Sequence, residues 1–269
     1  MSFDLEQVQH ALAETRFAGR VRHFNSVDST NTLALEAAQA GAHQSAWIAD
    51  EQTAGRGRGN HRWHSVSGDG LYLSALVRPP LPPRSALLIS LATGLAAKAA
   101  IAETAGAEVD IRWPNDLLIG SKKCGGILVE TAITPEQDAS AATLRYAVIG
   151  IGINLNHAAF PEELSSQATS LRIETGGVVV REPLVIALLR NIEREMTLLL
   201  RDWRGTNNKS GLLERFSSAS TWVCGKRVQV AEAGGYTGVT AGLDPSGFLQ
   251  VDVEGGQRHT VLSGGVREL

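Results

Sequence analysis

The sequence predicts an α+β protein: helices packed on a β-sheet, followed by a small β-barrel. Three observations lead there. Apolar runs of strand length recur between Ser45 and Leu155, Ala/Leu-rich and amphipathic helical stretches are interleaved with them, and from Trp222 short strands alternate with Gly-containing turns. With 269 residues and 43% hydrophobic content, the chain can bury a core in a large unit, 1–219, and a small one, 220–269.

In chain order, a short N-terminal helix leads to "DSTN", where Asp28 or Ser29 can cap a helix ending at Gly41. "SAWIADEQ" reads as a strand entering the loop "QTAGRGRGNHRW" and "GLYLSALVR" as a strand leaving it, so two buried elements hold that loop. Pro82 and Pro83 precede an Ala/Leu-rich helix that Gly106 closes. "VDIRWPNDLLIG", "GGILVET" and "LRYAVIGIGINL" are further strand candidates, the first interrupted by a rigid turn from Trp113 to Asp116. Leu184, Leu188, Ile192, Met196, Leu199 and Trp203 recur at helical spacing and predict a long amphipathic helix lying on the sheet. "GTNNKSG" reads as a polar hinge and Leu212 to Ser218 as a short helix. Val228, Val230, Leu249, Val251 and Val253 mark a barrel of about five strands, turned at "DPSG" and "EGGQ".

Charge and cysteine usage narrow the function. Lys+Arg number 25 against 28 Asp+Glu, a net −3, so no global field recruits nucleic acid or an acidic membrane surface. Positive charge is local, at Arg56, Arg58 and Arg62. Cys124 and Cys224 stand far apart without metal-ligand spacing, which argues against a disulfide framework or a zinc site. The N-terminus has no signal-peptide core, and no run reaches the roughly 18 uninterrupted apolar residues of a membrane span. The expectation is a cytoplasmic protein that does not engage a membrane.

The Gly-Arg loop suits a polyanion, because glycines let backbone N–H groups converge and guanidinium forks bind carboxylate or phosphate oxygens in pairs. A nucleic-acid tether or a plain flexible link would also account for it. It matches neither GxxxxGK[ST] nor GxGxxG, so neither the P-loop nor the dinucleotide-fold mechanism applies. Lys122 and Lys123 precede Gly125 and Gly126; strand alternation can carry one lysine inward and leave the other in solvent, or both can be surface residues. "GIGINL" places Gly150 and Asn154 at a strand end, either beside a ligand or at a bulge.

Together "STN" (Ser29, Thr30, Asn31), "QTAGRGR" (Gln52 to Arg58), Trp63, "WPND" (Trp113 to Asp116), "KKCGGILVE" and "GIGINL" resemble, in the same order, the motifs of biotin protein ligases. The resemblance spans nearly the whole chain, since Trp222 to Leu269 is similar to that family's C-terminal SH3-like barrel. Two departures stand out: Arg112 where lysine usually precedes WPND, and Arg58-Gly59-Asn60-His61 where many members have an Arg-Gly-Arg run.

The resemblance implies a mixed sheet with helices on it, 1–219 as the catalytic unit, and a two-step ligation. Biotin and MgATP give biotinyl-5′-AMP, and a lysine of a biotin carboxyl carrier domain then takes the biotinyl group. By motif position, Lys123 bridges the biotin carboxylate and the α-phosphate while Arg58 closes over them. Ser29, Thr30, Asn31 and Gln52 can meet the ureido ring, with Gly55, Arg56, Gly57, Arg58, Lys123, Gly126 and Gly150 completing the biotin site. Arg58, His61, Trp63, Asn115, Asp116, Lys123 and Asn154 fall at nucleotide positions; ordinary core packing for Trp63 and solvent exposure for His61 are the alternatives. Asp116 is also the candidate to accept the acceptor lysine's proton, or to orient Mg²⁺, whose ligands the sequence leaves unknown. Lipoate or octanoate ligation and a biotin-responsive, non-catalytic regulator are the competing functions. Sequence-specific DNA binding is not expected, given the short N-terminal segment and low net charge.

Overall fold

The computed structural model describes residues 3–134, 142–204, 210–232, 234–263 and 265–269. From the N-terminus come α1 (Leu5–Ala11), β1 (Val21–Val27), α2 (Thr30–Gln39), β2 (Ser45–Gln52), β3 (Gly70–Val77), α3 (Ala86–Ala105), β4 (Asp110–Arg112), β5 (Asp116–Ile119), β6 (Lys122–Ile133) and β7 (Leu144–Asn154). Then follow α4 (Glu162–Ser165), α5 (Leu171–Thr175), α6 (Arg181–Arg204), α7 (Ser210–Ala219), β8 (Cys224–Val230), β9 (Tyr236–Leu243), β10 (Leu249–Val253), β11 (Arg258–Val261) and β12 (Val266–Glu268).

The first sheet has the order β1-β2-β3-β7-β6-β5-β4. It is mixed, because β1 runs parallel to β2 while the other pairs are antiparallel. Strand alternation divides its residues between two cores. Leu71, Leu73, Ala75, Ile149, Ile151 and Ile153 face the large core with α3, whereas Leu76, Tyr146 and Val148 face Ala34 and Ala38 of α2. The α2 side of β7 continues with Gly150 and Gly152, so the sheet loses its side-chain cover just beyond the helix N-terminus. That gap holds the candidate site.

Ser29 occupies the N-cap position of α2 but makes no side-chain cap bond; Asp28 instead accepts a hydrogen bond from the Ser29 N–H at 2.5 Å. The amphipathic helix α6 does not lie on the sheet as its sequence suggests. It packs along α3 and against α1 and α7, while α3 contacts β6 on its other side. The cause is α3 itself, which buries Leu88, Ile89, Leu91, Ala92, Ala96 and Ala97 and so is apolar on opposite faces; such a helix needs a neighbour on both. An 18-residue window within Pro83–Ala105 reaches a mean hydropathy of 1.7, long and apolar enough to cross a membrane by composition, yet this stretch contains the central core helix α3. Of the predicted hinge at 205–211, residues 205–209 lie outside the described ones.

The second sheet, β11-β10-β9-β8-β12, is antiparallel throughout. It is fastened to the first unit by the Trp113 Nε1–H, which donates to the Gly247 carbonyl at 2.9 Å, and by Thr221, whose N–H and hydroxyl both donate to the Asp110 carboxylate. Both cysteines are free, and burial pushes the Cys124 thiol up to about 12, which leaves it unreactive.

Candidate active site

The cleft on the α2 side of the sheet encloses about 460 Å³, its open mouth included. Its floor follows from register. Gly126 of β6 pairs with Gly152 of β7, and Leu128 pairs with Gly150, so glycines face the cleft where side chains would otherwise fill it. A Cβ on Gly152 would fall 2.5 Å from the Trp63 indole, and one on Gly150 would fall 2.2 Å from Asn31 Oδ1. Trp63 therefore lies flat against the strands and Asn31 closes the far wall.

One end of the cleft is a neutral hydrogen-bonding cage. Gln52 Oε1 accepts from the Thr30 N–H at 2.8 Å and from its hydroxyl at 3.1 Å, and Gln52 Nε2 donates to Ser65 Oγ at 3.2 Å. Below them the fully buried Ser74 hydroxyl lies 2.8 Å from Thr30 Oγ1 and 2.5 Å from Asn31 Oδ1. Gly55 is buried beneath this cage, where a Cβ would meet Ser65 Oγ at 2.6 Å.

The other end is ionic. Lys123 Nζ sits 2.5 Å from Asp116 Oδ1 and 5.4 Å from the Trp63 ring centroid, while Arg112 holds Asp116 Oδ2 at 2.6 Å. Burial alone would raise the Asp116 pKa, but the Lys123 and Arg112 charges and hydrogen bonds outweigh it and hold the carboxyl below its ordinary value. Lys123 is aimed by its backbone. Register slips between Leu117 and Leu118, leaving Cys124 as an extra residue on β6, and the Lys123 N–H and carbonyl are bonded to Gln167 and Thr169. Lys122 points elsewhere and donates to the Ser165 carbonyl, so the two lysines do diverge.

Over the cleft folds the Gly-Arg loop, a small hairpin. Trp63 N–H donates to the Gly55 carbonyl and Gly57 N–H to the His61 carbonyl, with Arg56 bridged to Arg62 and a turn at Gly59, φ +64°. Burial pulls the Arg58 pKa down while Asp116 and Glu232 raise it; a guanidinium remains charged at neutral pH regardless.

The cleft thus brings together Ser29, Thr30, Asn31 and Gln52 with Arg56, Gly57, Arg58, Trp63, Asn115, Lys123, Gly126 and Gly150. Asp116 adjoins it through Lys123, and Gly55 lies behind it. His61 is exposed at the hairpin and outside the lining. Asn154 is buried, its amide donating to the Thr169 carbonyl at 3.0 Å, which braces the strand end rather than facing the cleft. Sequence reasoning missed Ile127, Leu128, Ile151 and Gly152 in the lining, and Ser74 and Glu130 behind it. The alternation Gly126, Leu128, Glu130 was the available signal, since it places the glutamate on the cleft face.

A model described as the biotin/lipoate A/B protein ligase family matches residues 23–154, and one described as the biotin protein ligase C-terminal domain matches residues 223–266. The biotin–[acetyl-CoA-carboxylase] ligase of Mycobacterium tuberculosis is 33% identical over 245 residues, covering 88% of this chain and 84% of that protein. The chain belongs to the biotin protein ligase family. The bifunctional ligase/repressor BirA of Bacillus subtilis is 39% identical over 171 residues, and the chain spans about half of that relative's length, 51%. Among solved structures, the biotin protein ligase of Aquifex aeolicus in complex with biotin and ATP is 27% identical with a TM-score of 0.75, over 93% of this chain and 99% of that one. Membership fits the geometry: a neutral cage and a cationic end share one glycine-floored cleft.

Proposed function

We propose that this protein is an ATP-dependent ligase that activates biotin as biotinyl-5′-AMP and transfers it to a lysine of the biotin carboxyl carrier domain of acetyl-CoA carboxylase. The observation that carries the proposal is Lys123 Nζ, held by Asp116 under Trp63 at the junction of cage and loop. A biotin carboxylate oxygen attacks the α-phosphorus, the bond to the β-phosphate breaks, and pyrophosphate leaves. Two anions must meet, and Lys123 with Arg58 supplies preorganised positive charge where it builds.

In the second step the acceptor amine attacks the anhydride carbonyl carbon and AMP departs. Asp116, bound by two cations, is a weak base as it stands. Its part is first to aim Lys123; once Lys123 turns to the adenylate, the carboxylate is free to take the amine's proton. The ureido ring sits in the Ser29, Thr30, Asn31 and Gln52 cage above Gly126 and Gly150, with Gly55, Arg56 and Gly57 around it. The adenylate lies by Trp63 and Asn115, which a buried and unpartnered Trp63 Nε1–H supports, since an orphaned donor costs about 1–3 kcal/mol. His61 serves the nucleotide from farther out, and Asn154 supports it only by bracing the strand end. Mg²⁺ arrives with the phosphates; among the described residues no cluster of three or more His, Cys, Asp or Glu stands ready to hold it alone.

Residues 1–219 form the catalytic unit and 220–269 the barrel, which braces the WPND turn. The protein works in the cytoplasm, and sequence-specific DNA binding is not expected of it. The test is incubation of purified protein with ATP, Mg²⁺ and a carboxyl carrier domain. Biotin-dependent pyrophosphate release and a mass increase on one carrier lysine are expected; release with lipoate in place of biotin would overturn the substrate.

A further inference from the structure

We infer that Glu130 is a positioning residue that ties the neutral end of the cleft to the Gly-Arg loop by holding Asn31 and Arg56 through one carboxylate. The inference rests on biotin occupying this cleft, as proposed above.

Three observations carry it. First, register places Glu130 on the cleft face of β6, opposite Val148 and beyond Leu128 and Gly126. Second, its carboxylate is divided between two elements: Oε2 accepts from Asn31 Nδ2 at 2.9 Å, and Oε1 accepts from Arg56 at 2.7 Å. Third, Asn31 is fixed on its other side by the buried Ser74 hydroxyl and lies against Gly150, so it cannot follow Glu130 if that residue moves. Through Glu130 the first turn of α2 therefore anchors Arg56, the residue where the loop hairpin begins.

This arrangement separates the loop arginines by task. Arg56 is held at the cage end by Glu130, whereas Arg58 feels the carboxylate of Asp116 at the Lys123 end. A carboxylate satisfies both partners because each oxygen accepts; an amide in its place presents only one acceptor oxygen. The Glu130→Gln substitution keeps the shape but turns a donating NH2 toward either Asn31 or Arg56, both donors themselves, and removes the charge that Arg56 pairs with.

The experiment compares wild type, Glu130→Gln, Arg56→Gln and the double variant. Biotin affinity is measured by calorimetry, the Michaelis constants for biotin and ATP by pyrophosphate release, and the lifetime of bound biotinyl-5′-AMP by filter retention. Glu130→Gln is expected to raise the biotin KM about tenfold, leave the ATP KM within about twofold and shorten adenylate retention several-fold, a split that a general folding defect does not produce. The double variant is expected to lose little more than either single one. If wild type binds biotin and Glu130→Gln matches it in affinity and adenylate lifetime, or if the two losses simply add, the positioning role is wrong. If wild type itself fails to bind biotin, the assignment of the cleft has failed instead.

Discussion

At the residue scale the cleft depends on atoms that are missing. A methyl at Gly152 would sit 2.5 Å from Trp63 Cε2 and Nε1 and must push the ring off the strands, because the strand backbone cannot recede. Gly152→Ala is expected to leave folding intact and to reduce adenylate formation roughly tenfold or more, with quenching or shift of Trp63 fluorescence reporting the displaced ring. The family resemblance pointed to Gly126 and Gly150, which do line the cleft; Gly152 was overlooked, although strand alternation from Gly150 puts it on the same face, opposite Gly126. Asp116 shows a second limit of this kind. The sequence offered it as a carboxylate of the site, but its ion pairs to both Lys123 and Arg112 needed the bulge at Cys124 and the short β4–β5 hairpin to be seen. Asp116→Asn removes the anchor of Lys123 and the candidate proton acceptor together. Single-turnover measurements should show both half-reactions slowed and transfer slowed about tenfold more than adenylation, a margin modest for general-base catalysis. Equal losses would leave Asp116 with positioning alone.

Elements carried most of their own signal, because periodicity reports directly on burial. Strands β2, β3, β6 and β7 and helices α2, α3 and α7 stand close to where alternation, helical spacing and glycine stops put them. The partner of α6 was less legible: an amphipathic stripe shows that one face is covered without saying by what, and the answer lay in the all-round apolarity of α3. The Gly-Arg loop is the element on which function turns. Its base is pinned by Trp63 N–H to the Gly55 carbonyl and by Glu130 on Arg56, while the tip around Gly59 relies on a 3.3 Å bond between His61 N–H and the Arg58 carbonyl. Trypsin should therefore cut the free protein after Arg58 before Arg56 or Arg62, and biotin with ATP should suppress the cutting; unchanged digestion would remove the case for closure over the adenylate. Replacing Arg58 with glycine keeps Lys123 and so keeps adenylation, but the intermediate should escape faster into solution. Tighter retention than wild type would contradict that role.

At the scale of the whole molecule, distant segments are joined at a few polar points. The bond from Trp113 to the Gly247 carbonyl spans 134 residues of sequence, and no local pattern announces it. A second such point joins β1, β2 and α6. Asp50 Oδ1 accepts from His23 Nε2 at 2.8 Å and from Arg181 at 2.5 Å, with Phe3 stacked on His23 and under Arg181. Burial pushes the Asp50 carboxyl up, but its bonds to His23 and Arg181 and their charges prevail, so it titrates below its ordinary value. The sign follows from linkage. A carboxylate with a depressed folded pKa adds stability above its unfolded pKa of about 3.9, and that stability is lost as pH falls through the folded value. At pH 7, then, Asp50→Asn should lower stability by about 2 kcal/mol, the range for a charged hydrogen-bond partner, or about 4–8 °C in Tm. As the pH drops below about 4 the wild type loses the same contribution by protonation, and the two melting curves should converge. A difference in Tm that stays constant from neutral pH to the acid limit would show that Asp50 binds Arg181 without an ionised carboxylate, and the clamp between the sheet edge and α6 would then owe nothing to charge.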